Sequence, residues 1–134
     1  MLCAGYWFFL KALVTGGAGF IGSHLVEKLL AGGVQVRVLD NLSVGDQNVE
    51  LLKEKNAELF VGDVRDYQIV SNAVAGVDVV FHLAAMNRAQ RSIEDPLQAN
   101  AVNVDGTINL LEACRKNDVS RFIFASSSSV YGQG

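Results

Sequence analysis

Ala12-Leu13-Val14-Thr15-Gly16-Gly17-Ala18-Gly19-Phe20-Ile21-Gly22-Ser23-His24 decides the fold. A short apolar run enters a turn with glycines at 16, 17, 19 and 22, and a helical pattern begins at once. Strand, glycine turn and helix in that order form a cradle for the diphosphate of a dinucleotide. An early glycine permits the tight turn, a middle one lets backbone N–H groups approach the pyrophosphate, and Gly22 lets the helix pack on its strand. The phosphates then rest on the unsatisfied N–H groups of the helix N-terminus.

The flanking sequence supports this reading. Lys11–Val14 suits a strand, and Ile21, Leu25, Leu29 and Leu30 recur at helical spacing. A second strand, Gln35–Leu39, is followed by Asp40, 18 residues past Gly22, where a carboxylate meets an adenosine ribose. No arginine follows Asp40 (Asn41, Leu42 and Ser43 come next), which favours NAD over its 2′-phosphorylated form.

Composition bounds the rest. The chain has 134 residues, half of them apolar and 19 % charged, which suits one globular domain at most. A formal charge of −3 with no run of like charge argues against a nucleic-acid-binding face. Residues 1–10 form an apolar extension without a basic leader and too short to span a bilayer, so no membrane partner is expected. Cys3 and Cys114 lack metal or redox spacing; Cys114 reads as a buried free thiol, and the pair suits a reducing cytoplasm.

Five apolar runs read as strands: Lys11–Val14, Gln35–Leu39, Glu58–Val61, Val77–Phe81 and Arg121–Ala125. Helical patterns lie between them at Ile21–Ala31, Gln47–Lys55, Tyr67–Ala75 and Pro96–Lys116, the last capped by Asp95 with Pro96 in its first turn. The alternation predicts an α/β fold, a Rossmann-type doubly wound parallel sheet in the order 3-2-1-4-5, with the ligand across the carboxyl ends of strands 1 and 4.

Those strand ends carry the candidate site residues. Asp40 reads as a ribose clamp or as a turn former before Asn41. Asp63 either accepts a hydrogen bond from an adenine amino group or caps the next helix, a role Asp66 could equally fill. His82 reads as a packed strand-end histidine, and His24 as structural. Asn103 and Gly106 are poor residues for a helix interior, so Asn103 needs polar partners and Gly106 permits close packing against the sheet. Ser126–Ser129 follow strand 5, where a hydroxyl could polarise a substrate carbinol or carbonyl.

Together these segments resemble the extended short-chain dehydrogenase/reductase family, in particular its NAD-dependent sugar-nucleotide epimerases and dehydratases of the UDP-hexose 4-epimerase kind. The carrying residues are Thr15–His24, Asp40–Leu42, Gly62–Asp66, His82–Ala85, Asn103–Thr107 and Ser126–Gly132. The family's Gly-x-x-Gly-x-x-Gly matches Gly16, Gly19 and Gly22. The resemblance implies Phe20 and Ile21 at the pyrophosphate, Asp40 and Asn41 at the ribose, and Asp63 with Val64 at the adenine. It implies Leu83, Ala84 and Ala85 along the cofactor, Val102 or Asn103 close to it, and Ser127 as the catalytic serine. Arg88 and Arg91 are candidate sugar or phosphate contacts, though plain surface arginines are the simpler reading.

The family's general base is a Tyr-x-x-x-Lys pair downstream of the serine cluster. Tyr131 belongs to a Val-Tyr-Gly turn, and the fourth residue after it lies beyond Gly134. The expectation is therefore a partial NAD-binding domain over residues 11–134, truncated after strand 5, with the substrate domain absent. The parent would be an epimerase acting on a nucleotide sugar, and a homodimer. A 4,6-dehydratase, a reductase or a non-catalytic NAD-binding module are the alternatives. The chain by itself is expected to be inactive, and to aggregate or be poorly soluble because of an exposed apolar strand 5.

Overall fold

A computed structural model describes residues 10–86 and 89–132. Most of the N-terminal extension and Arg88 lie outside them. Five strands, β1 (Lys11–Thr15), β2 (Gln35–Asp40), β3 (Glu58–Val61), β4 (Val79–His82) and β5 (Arg121–Phe124), form one sheet in the order β3-β2-β1-β4-β5. Every pairing is parallel, as read from the sequence. β3 has the limits read from the sequence, and the other strands differ from that reading by one or two residues at an end. Val77 precedes the fourth strand, and His82 closes it.

Side-chain alternation along the strands builds two cores, one on each face of the sheet. Ala12, Val14, Val36 and Val38 point to the face covered by α1 (Phe20–Ala31) and α2 (Val49–Glu54), where Val26 and Leu52 are fully buried. Leu13, Leu39 and Val80 point to the other face, against α3 (Tyr67–Val74) and α6 (Gly106–Lys116), which contribute Val70, Val74, Leu110 and Cys114. Arg37 interrupts the apolar pattern of β2 and is nevertheless buried. Its guanidinium donates to the carbonyls of Asn72, Ala73 and Ala75 at the end of α3 and to the Glu58 carboxylate. The carbonyls at the end of the helix thus gain a donor that the helix cannot supply for itself.

The expected long helix over Pro96–Lys116 is not uniform. It is α5 (Pro96–Asn100), then a π-helical segment Ala101–Asp105 in which Gly106 N–H reaches back to the Ala101 carbonyl, then α6. Asp95 does cap it, accepting from Gln98 N at 3.0 Å. Gly106 packs not against a strand but on Val64, whose Cγ2 a Cβ at position 106 would approach to 2.6 Å. Two elements escaped the sequence reading: α4 (Ala89–Glu94) and a 3₁₀ turn over Ser128–Tyr131. Beyond β5, Ile123 and Phe124 are exposed, and among the described residues β5 pairs only with β4.

Candidate cofactor-binding site

β1 and β4 are neighbours in the sheet, and the chain leaves them toward different flanks. Their carboxyl ends open the crevice where open α/β sheets bind ligands. The glycine turn lies there. Gly16 has φ +71°, which favours glycine, and a Cβ on it would sit 2.8 Å from Ala84 N. A Cβ on Gly22 would be driven into the Gly16 carbonyl oxygen. The turn and α1 therefore touch backbone to backbone. The first intrahelical bond of α1 is Ser23 N to the Gly19 carbonyl at 2.9 Å, so the N–H groups of Phe20, Ile21 and Gly22 precede it. No side chain caps this end, no acidic residue occupies its first turn, and Phe20 and Ile21 are exposed. The cradle is open to an anion.

Asp40 holds this turn in place. Its Oδ2 accepts from Ala18 N at 3.0 Å and its Oδ1 from Leu42 N at 2.8 Å. The turn-forming role and the clamp position therefore coincide, because each oxygen keeps a lone pair for a ribose hydroxyl. Asn48, which the sequence reading passed over, donates to the Ala18 carbonyl at 2.8 Å and fixes the same residue from its other side. The only signal for it was an Asn near the start of the Gln47–Lys55 pattern, where the structure makes it the residue before α2.

The end of β3, where an adenine is expected, is equally organised. Asn41 Nδ2 donates to Asp63 Oδ2 at 2.8 Å, and Arg65 grips Asp63 with Nε and Nη2, both at 2.8 Å. That guanidinium holds the Asp63 carboxyl well below the usual carboxylate range. Asp63 does not cap α3; Asp66 does, accepting from Gln68 N and Ile69 N. Val64 turns its side chain into the core, and Val102 packs against the same cluster, so any ligand contact from Val64 falls to its backbone.

On the other flank, Leu83–Ala85 follow β4 beside Gly16. Asn103 reaches from the π segment to the Met86 peptide, accepting from its N–H at 2.8 Å and donating to its carbonyl at 3.1 Å. The partner its helical position demands is thus loop backbone. His82 is 2 % exposed, and burial pushes its pKa down to about 4. It packs at the strand end rather than facing the crevice as a base. His24 bonds the Phe20 carbonyl through Nδ1 at 2.7 Å. Ser127 is exposed, and its Oγ accepts from Ser129 N at 3.1 Å, which leaves its proton to donate. Arg91 lies exposed at the end of α4. Among the described residues, no cluster of metal-ligating side chains occurs and no helix is long and apolar enough to cross a membrane.

Comparison with known proteins agrees with this geometry. The model of the NAD dependent epimerase/dehydratase family matches residues 12–134. The chain belongs to that family. It is 41 % identical over 129 residues to a UDP-glucose 4-epimerase of Erwinia amylovora, covering 92 % of this chain and 38 % of the relative. It is 39 % identical over 124 residues to a UDP-N-acetyl-alpha-D-glucosaminuronate decarboxylase of Bacillus cytotoxicus, with coverage of 92 % and 38 %. The Thermus thermophilus UDP-glucose 4-epimerase, solved in complex with NAD, superposes with a TM-score of 0.78 at 43 % identity, over 88 % of this chain and 38 % of that one. The chain thus spans about two-fifths of the length of each. The family is NAD-dependent, and the residues present fit the cofactor: the cradle a Cβ would fill, an uncapped helix N-terminus and a carboxylate with free lone pairs stand in one crevice.

Proposed function

We propose that this chain is the NAD-binding part, residues 11–134, of an enzyme that removes and returns hydride at a hexose carbon, C4, of a UDP-sugar. The observation that carries the proposal is the Gly16–Gly22 contact, which leaves α1 uncapped at the crevice, with Asp40 fixed beside it. Bound NAD would supply a reversible hydride acceptor.

The chain's own residues do the positioning. Phe20, Ile21 and Gly22 offer N–H groups to the pyrophosphate, with Gly16 and Gly19 making room. Asp40 and Asn41 hold the ribose, and Asp63 with the Val64 backbone meets the adenine. Leu83, Ala84 and Ala85 form the wall beyond, with Val102 and Asn103 behind it. Ser127 donates its free hydroxyl proton to the sugar oxygen as negative charge develops there. Proton removal falls to a Tyr-x-x-x-Lys pair of the kind the family resemblance implies.

We also propose that the parent is a cytoplasmic homodimer. Leu97, Val104, Ile108 and Leu111 are exposed along α5, the π segment and α6 and form an apolar stripe suited to a second copy. The buried, unpaired Cys114, its thiol pushed up to about 11, suits a reducing compartment.

The test is conversion of UDP-glucose to UDP-galactose by the complete protein, with a sharp loss in Ser127→Ala. The decarboxylase relative supports a second reading, a different reaction on the oxidised sugar. Release of carbon dioxide from a UDP-uronic acid, or a stable 4-keto-6-deoxy product, would replace epimerisation. If this chain alone performed the conversion, the general-base assignment would be wrong.

A further inference from the structure

The end of β4 is tied to the π segment by one chain of hydrogen bonds. Thr107 Oγ1 donates its only proton to the Asn103 carbonyl at 2.7 Å. Toward His82 Nε2, 2.9 Å away, it can therefore only accept, so Nε2 carries the ring proton. In that tautomer Nδ1 is an acceptor, and Thr15 Oγ1, 2.7 Å away, donates to it. The lone pairs of Thr15 Oγ1 receive the N–H groups of Leu83 and Ala84, each at 3.2 Å. Apart from the Leu83 N–H, which is shared with the Thr15 carbonyl at 3.1 Å, every proton in the chain has one acceptor, and the opposite tautomer would set two donors, His82 Nδ1 and Thr15 Oγ1, against each other. Three of these residues, Thr15, His82 and Thr107, come from β1, β4 and α6, and the rings of Phe122 and Phe124 close the site from β5.

The chain ends where the helix departs from α geometry. Thr107 bonds the carbonyl of Asn103, the residue whose side chain grips the Met86 peptide on both sides. Single π turns of this kind concentrate at functional sites.

We propose that His82 is a positioning residue: through Thr107 it holds the π register that aims Asn103 at Met86, and through Thr15 it fixes Leu83 and Ala84, so that one buried ring sets the crevice wall from 83 to 86. This rests on the NAD reading above. Asp40 ends β2 and Asp63 follows β3, so they take the adenosine, and β4, across β1 from them, faces the nicotinamide half. The His82 chain therefore governs binding of NAD but not of AMP, which reaches only the adenosine side.

The test uses Thr107→Val, which keeps the shape and removes the hydroxyl, with Thr107→Ser as the conservative rescue. In Thr107→Val the affinity for NAD falls about tenfold while that for AMP stays within about twofold; Thr107→Ser restores NAD binding. Long-range proton–nitrogen NMR of the unsubstituted chain shows His82 protonated at Nε2. An unchanged ratio of NAD to AMP affinity in Thr107→Val, or a His82 ring protonated at Nδ1, overturns the proposal. The tautomer decides it even where Thr107→Val fails to fold. Failure of the unsubstituted chain to bind NAD at all would overturn the functional reading as well, a result distinct from a wild-type ratio in the variant.

Discussion

The two walls of the crevice are built differently. On the β1–β2 side, Ala18 is held by Asp40 at its N–H and by Asn48 at its carbonyl, and Asp63 is gripped by Asn41 and Arg65. On the β5 side, Ser127 is exposed, and its Oγ accepts from a residue two positions on, within the same short turn. Bonds between residues 22 to 30 apart fix the first wall, with Arg65 adding a local one; at Ser127 the bond is local alone. The residues proposed to position the cofactor are thus held across the sheet, whereas among the described residues the Ser127 hydroxyl takes no bond from a distant element.

The comparison breaks most severely at Gly22. Gly22→Ala forces a methyl into the Gly16 carbonyl, where both partners are backbone and neither can yield cheaply. A loss of about 3 kcal/mol or more is expected, read as a lower denaturation midpoint. The β4 anchor comes next. An unfolded histidine takes a proton near pH 6.5, but buried His82 only near 4. Between those values the unfolded chain binds more protons, so stability is complete above about 6.5 and falls as the pH drops toward 4. The loss reaches up to about 3 kcal/mol, and His82→Gln flattens the slope in that window. Asn48→Ala removes one lock from Ala18 and should cost about 1 kcal/mol, with a modest loss of NAD affinity. Ser127→Ala, on the loosely tied wall, should change stability by less than about 0.5 kcal/mol, measured the same way. A large destabilisation there would erase the contrast between the walls.

The sheet was legible because parallel strands covered on both faces leave near-continuous apolar runs, and because Gly16–Gly22 and Asp40 stand at a spacing set by strand and helix lengths. The π segment was not legible. Its register is decided by Asn103 meeting Met86 and Thr107 meeting His82, contacts 17 and 25 residues apart in sequence. Ala89–Glu94 was missed because six residues, mostly polar, carry no helical period. Among the candidate site residues, Asp40 was readable by its position. Asn48, Thr15 and Thr107 were not, since a hydroxyl or an amide acquires its role only from what the fold sets opposite it.

The account turns on one crevice gripping NAD, and calorimetric titration of NAD into the chain at low micromolar concentration tests it directly. The prediction is measurable heat with the unsubstituted chain and a loss of about 30-fold in affinity with Asp40→Ala, as expected for about 2 kcal/mol from a carboxylate that both binds the ribose and holds the glycine turn. Equal affinity in the two, or no heat in either from a chain that folds, would contradict it.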